Sequence, residues 1–217
     1  MYELLIANKE SGQIWDVSSS VTEVQLETVR KGGPSKLSFT LLSNGISFSQ
    51  GDIIRFSSDG ELQFYGWCFT KEVDRWGVMN VTCYDRVRYL KANATYAFYA
   101  LSASTIIKQI ADDLQIEVSD IAETGYLIPS MIKTDQSCID IIQDALNQTL
   151  LNTGKIYVLY DNGDGLSLKA ADEWISEYLI GDRSLLTDYS LKTDIDAETY
   201  NSIKLVQPNQ ATGMNDV

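Results

Sequence analysis

Leu62-Gln-Phe-Tyr-Gly-Trp-Cys-Phe-Thr-Lys-Glu-Val-Asp-Arg-Trp-Gly-Val-Met-Asn-Val-Thr-Cys-Tyr84 reads as two strands, 62–70 and 78–84, on either side of a turn at Asp74 to Gly77. The period is two: Phe64, Gly66 and Cys68 point one way, Tyr65, Trp67 and Phe69 the other. Apolar residues on both faces mean that neither face is simply solvated. One face fits a core, and the other is open to two readings: an aromatic platform for a sugar or base, or a surface covered by a neighbouring subunit. Alternation favours the subunit surface.

The same punctuation continues towards the N-terminus. Strands are expected at 2–7, 14–17 and 21–28, then at 36–41, where Leu37, Phe39 and Leu41 share a face, and at 51–56. Between them lie a polar stretch at 8–12 and the breakers Lys31-Gly-Gly-Pro34, Ser43-Asn-Gly45 and Ser58-Asp-Gly60. Strands and turns that alternate every ~10 residues, with no helical stretch, predict an antiparallel barrel over 1–95, because closure is how short strands avoid exposed edges.

From Ser102 the period changes. Ile106, Ile107, Ile110 and Leu114 fall at helical spacing behind a Ser102 or Ser104 cap. A second helix opens at Ser137-Cys-Ile-Asp140, a capping box with Asp in the Glu position, and stops at Gly154. Short strands at 116–118 and 126–128, and a hairpin of 155–160 with 166–169, complete an α/β domain over 96–184, with Trp174, Tyr178 and Leu179 closing it. Residues 201–206 read as a last strand. The fold class is therefore α+β.

Composition excludes several functions. There is no histidine among the 217 residues, which removes Ser-His and Cys-His nucleophilic sites. Cys68, Cys83 and Cys138 are odd in number and widely spaced, which fits neither a disulfide framework nor a zinc knuckle. Thirty acidic against 17 basic residues give a net charge of -13, so general attraction to nucleic acid phosphates is opposed. No apolar run reaches the ~18 residues of a membrane span, and the N-terminal stretch lacks the basic start of a signal peptide. Asp161-Asn-Gly-Asp-Gly165 departs from a calcium loop, having Gly163, Gly165 and Asp172 where ligands belong, and reads as a hairpin turn. Lys31-Gly-Gly-Pro-Ser-Lys36 lacks the ending of a phosphate loop, and the three Asn-x-Thr sequons read as chance matches. No catalytic, cofactor-binding or metal-ligating residue is assigned, no cofactor is expected, and the chain reads as non-enzymatic.

Five segments in order carry a resemblance: Gly51-Asp-Ile-Ile-Arg-Phe56, Phe64-Tyr-Gly-Trp67, Val81-Thr-Cys-Tyr-Asp-Arg-Val-Arg-Tyr-Leu-Lys91, Ser102-Ala-Ser-Thr-Ile-Ile-Lys-Gln-Ile-Ala111 and Tyr200-Asn-Ser-Ile-Lys-Leu-Val206. Together they resemble the baseplate hub family of phage tails, in particular the hub-like tail proteins of PBSX-type prophages, and more distantly phage late control protein D and the first part of the type VI secretion spike. The resemblance implies a virion protein made in the bacterial cytoplasm. It implies a trimer whose barrels form a six-fold-like ring between the tail tube and the central spike, in contact with other baseplate subunits. Residues 185–217 would then begin a second, truncated barrel. DNA would pass through without specific binding, its sliding eased by a negative lumen whose repulsion reaches ~8 Å at physiological salt. The alternatives are a tail tube or distal tail subunit, against which the α/β insertion speaks, and a cell-wall-binding tail module.

Overall fold

Leu4 and Ile6 in the first strand, and Leu37, Phe39 and Leu41 in the fourth, are buried at every second position while their neighbours are not. That alternation makes one side of a sheet into a core. In the computed structural model, which describes residues 2–42, 45–176 and positions 178, 181, 188, 190, 191, 193, 202, 207, 208, 215 and 216, seven strands build it. They are β1 (Tyr2–Ala7), β2 (Ile14–Asp16), β3 (Val21–Glu27), β4 (Lys36–Leu42), β5 (Ile53–Ser58), β6 (Glu61–Val73) and β7 (Val78–Tyr84). Their spatial order is β2-β1-β5-β6-β7-β4-β3, and every neighbouring pair is antiparallel.

The sheet is a curled half-barrel. β2 and β3 are its two end strands, and among the described residues no ladder joins them. Yet the chain passes from one end strand to the other between Asp16 and Val21. Five residue steps reach at most ~18 Å, whereas seven strands laid flat would span ~29 Å from first to last. The sheet must therefore curl. The crossing segment is itself anchored: Val17 is buried and its N–H donates to the Leu4 carbonyl, while the Leu4 N–H donates to Ser18 Oγ at 2.9 Å. Curvature is thus as expected from the sequence, while the edges are managed by means other than closure. β2 is only three residues long, and β3 carries exposed Glu23 and Glu27.

Phe48 and Ile54 add to this core, and the loop around them is held by Asp52, which is almost fully buried. Its carboxylate accepts from the backbone N–H of Ser49 and Lys9 and from Asn8 Nδ2, at 2.8 to 3.1 Å. Burial pushes its pKa up, but these donors prevail and hold it below the ordinary carboxylate range.

A two-turn 3-10 helix, Arg86–Lys91, leads out of β7 into a second core. There β8 (Asn93–Ser102) pairs with β10 (Leu127–Ser137), and α1 (Ala103–Asp113) and α2 (Cys138–Thr153) pack on the ribbon they form. β9 (Val118–Ile121), β11 (Tyr157–Asp161) and β12 (Leu166–Ala170) form a three-stranded sheet in the order β11-β12-β9, with β12 parallel to β9. Phe98, Ile106, Ile107, Ile110, Ile128 and Ile142 fill the space between. Both helices start where their serines cap them: Ser102 Oγ accepts from Thr105 N–H and Ser137 Oγ from Asp140 N–H. Gly154 ends α2 with φ 72°, a conformation that favours glycine.

Several strand bounds differ from those expected. β10 extends from Leu127 to Ser137 rather than stopping near 128, because its polar second half pairs with β8 through a bulge between Lys133 and Gln136. β9 begins two residues later than the 116–118 reading. A 3-10 turn, Ala171–Glu173, follows β12, and Trp174 then packs edge-on against Tyr160 at 4.9 Å. Residues up to Ile175 form one compact unit. Residues from Ser176 form another, in which Gln207–Pro208 pairs with Asn215–Asp216. Leu179 and most of the expected strand at 201–206 lie outside the described residues.

Candidate functional site

The outer face of β6 and β7 is where the chain concentrates aromatic and cationic side chains. Tyr65, Trp67 and Phe69 stand on this face because Phe64, Gly66 and Cys68 occupy the core side, as the alternation requires. Gly66 has a further reason: a Cβ there would come within 2.3 Å of the Tyr84 carbonyl oxygen, so the two strands approach only without a side chain. Trp67 meets Tyr65 and Tyr89 edge-to-face, with ring centres 5.8 and 5.7 Å apart, and Phe69 meets Tyr84 at 5.3 Å. Arg88 lies over Phe69 and Tyr84, and Arg86 over Tyr65 and Trp67, all within 6 Å of the ring centres. Tyr89 remains 47% exposed at the rim.

Beside this face Asp85 and Arg86 tie the half-barrel to the second core. Asp85 caps the 3-10 helix: its carboxylate accepts from Val87 N–H at 3.0 Å and from Ser35 N–H at 2.9 Å. Burial pushes its pKa up to about 6, and the nearby Asp161 charge adds to the shift. Arg86 is almost wholly enclosed. Its Nη1 donates to both carboxylate oxygens of Asp161, at 2.9 and 3.1 Å, and to the Gly163 carbonyl at 2.9 Å, while Nη2 donates to Glu117 at 2.9 Å. The Arg86 backbone N–H also donates to Asp161. Asp161 is as buried as its partner, and Glu117 faces solvent. The pair places a full cation between the aromatic face and the β11–β12 hairpin, and it fixes where that face sits relative to the helices.

The YqbQ-like family matches residues 24–217. The chain belongs to the YqbQ-like family. It is 34% identical to protein YqbQ of Bacillus subtilis strain 168 over 194 residues, which is 85% of this chain and 59% of that one. It is 33% identical to the phage-like element PBSX protein XkdQ of the same strain, over 79% of this chain and 55% of that protein. The chain thus spans between half and two thirds of the relatives it matches. Its fold is shared with two solved structures, the 43 kDa tail protein of prophage MuSo2 from Shewanella oneidensis (TM-score 0.56, 14% identity, 78% of this chain and 55% of that one) and a tail protein of Neisseria meningitidis MC58 (TM-score 0.59, 12% identity, 78% and 50%).

In this YqbQ-like chain the loop 161–165 is the hairpin turn expected of it, and the side-chain oxygens of Asp161 and Asn162 are already engaged. Asn162 Oδ1 accepts from the N–H of Asp164 and Gly165, and Asp161 serves Arg86 and the Gly163 N–H. Among the described residues no three His, Cys, Asp or Glu side chains gather as a metal cluster would need, and no helix is long and apolar enough to cross a membrane. Of the clefts bordering the seam among the described residues, two are the larger. One, of about 400 Å³, is walled by Trp67, Tyr89, Arg86 and Glu117. The other, of about 590 Å³, lies between residues 28–35 and β11, with Asp85 and Trp174 on its wall. The aromatic strand was legible from alternation. The Arg86–Asp161 pair was not, because nothing local links residues 75 positions apart; the one available signal was an arginine beginning a strand exit where burial follows.

Proposed function

We propose that the chain is a structural, non-enzymatic subunit of a phage-type tail, and within the tail a baseplate hub that joins the tail tube to the central spike. The observation that carries this reading is the half-barrel with its appended α/β core, a fold shared with two tail proteins in a chain homologous to a PBSX protein. On this reading the aromatic and arginine face of β6 and β7 is covered by another tail protein, since large rings backed by guanidinium groups suit a desolvated protein interface. Three copies would assemble, their acidic surfaces would line a channel, and DNA would pass without specific contact.

Immunogold labelling of induced tail particles with antibody against this chain tests the reading. Gold at the distal tip of the tail is the expected result. Gold along the whole shaft would make the chain a tube subunit, and particles without gold would remove it from the tail. Light scattering on the purified chain, with a mass of three copies expected, tests the trimer.

A further inference from the structure

Cys68 on β6 and Cys83 on β7 are direct partners in the strand ladder. The Cys68 N–H donates to the Asp52 carbonyl at 2.9 Å, and its own carbonyl accepts from the Gly51 N–H at 2.8 Å. Both backbone groups of Cys68 therefore point towards the segment entering β5 and away from β7. Opposite Cys83 it occupies the narrow, non-hydrogen-bonded kind of pair, in which Cα atoms lie ~4.5 Å apart and side chains are closest. That spacing falls within the range of about 4.4 to 6.8 Å that a disulfide spans. Both side chains point into the half-barrel core, at 2% and 0% exposure, while Cys138 belongs to the other core.

We propose that Cys68 and Cys83 are an oxidisable pair that forms a cross-strand disulfide and locks β6 to β7. Both are free thiols in this structure. A small disulfide such as oxidised glutathione supplies the oxidant. One cysteine thiolate attacks it and releases a first glutathione thiolate; the second cysteine attacks the mixed disulfide and expels the other. Two cysteine thiols lose two electrons, the glutathione disulfide gains them, and the two protons end on two glutathione thiols. Burial pushes the Cys68 thiol up to about 11 and Cys83 well above its ordinary value, so exchange in the closed fold is slow. The ladder has a place to open: a bulge interrupts it between Cys68 and Thr70, directly beside the pair. In a reducing cytoplasm the pair stays as thiols, and outside the cell it oxidises. The inference stands apart from the hub reading.

The test treats the chain with oxidised glutathione at neutral pH in sub-denaturing urea, removes the urea, alkylates the remaining thiols after full denaturation, and maps the peptides by mass spectrometry. The expected result is a Cys68 peptide linked to a Cys83 peptide, with Cys138 alkylated. The melting temperature should rise by about 5 to 10 °C, as closure of a short loop predicts, and return with dithiothreitol. The Cys83→Ala chain, treated in the same way, should show no rise over its own untreated value. Recovery of Cys68 and Cys83 as alkylated or glutathione-capped residues overturns the proposal, and so does a linked peptide without a rise in melting temperature.

Discussion

The half-barrel and the α/β core of the first unit solve the same problem in opposite ways. In the α/β core, α1 and α2 cover the β8–β10 ribbon, and the elements are closed by local devices: serine caps and a left-handed glycine. In the half-barrel the β1–β5 and β4–β7 ladders join strands far apart in the chain, among the described residues no ladder joins the two end strands, and loops are held by long-range carboxylates such as Asp52 and Asp85. The contrast teaches where assembly can take place. The aromatic outer face and the open sheet ends both belong to the half-barrel, and the α/β core holds that face in position through Arg86 and Asp161.

If that buried ion pair is what joins the two cores, Arg86→Ala should destabilise the chain most. It strands the Asp161 carboxylate in a closed site and removes the guanidinium from Tyr65 and Trp67, a loss of about 3 to 5 kcal/mol. Urea unfolding followed by tryptophan fluorescence should separate into two transitions, one for each core. A single transition shifted by less than ~1 kcal/mol would mean that apolar packing alone joins them. Arg86→Lys should recover little of the loss, because an ammonium cannot reach Asp161, the Gly163 carbonyl and Glu117 together while stacking on the rings.

Asp85 sharpens the comparison through pH. Its folded pKa, about 6, lies above the ordinary value of 3.8. Between those values the folded chain holds a proton that the unfolded chain has released, so this group costs stability above pH 6 and the cost is relieved as pH falls towards 4, an effect on the order of 2 to 3 kcal/mol. Asp16, Asp52 and Glu123, all held below their ordinary values, act in the other direction and lose their contribution only as pH falls below about 4. Asp85→Asn should therefore flatten the stability profile between pH 4 and 6, measured by urea midpoints at successive pH values. A slope equal to that of the unsubstituted chain would remove Asp85 as its source.

The α/β core should respond locally. Ser137→Ala removes the oxygen that accepts the Asp140 N–H at the start of α2, and should cost about 1 kcal/mol without altering the half-barrel's signals in hydrogen exchange. Protection lost in β6 or β7 would mean that the two cores are coupled more tightly than the seam suggests. The smallest effect on stability is expected at the rim: Tyr89→Ala should change the unfolding free energy by about 0.5 kcal/mol or less. If the outer face is an interface, the same change should nonetheless reduce incorporation into tail particles, read by quantitative blotting of purified particles.

Leu37, Phe39 and Leu41 announced a strand, and Ser137 with Gly154 announced both ends of a helix, because those signals depend on side-chain periodicity and on hydrogen bonds between residues a few positions apart. The outward set of Tyr65, Trp67 and Phe69 was legible for the same reason. The order β2-β1-β5-β6-β7-β4-β3, the end strands left unjoined among the described residues, the second half of β10, the meeting of Cys68 with Cys83 and the choice of Asp161 as the partner of Arg86 could not be read in advance. Each of these depends on which distant segments share a ladder or a buried pocket. Local pattern is blind to such pairing, since many registers satisfy the same alternation and only the packing of the whole chain selects one.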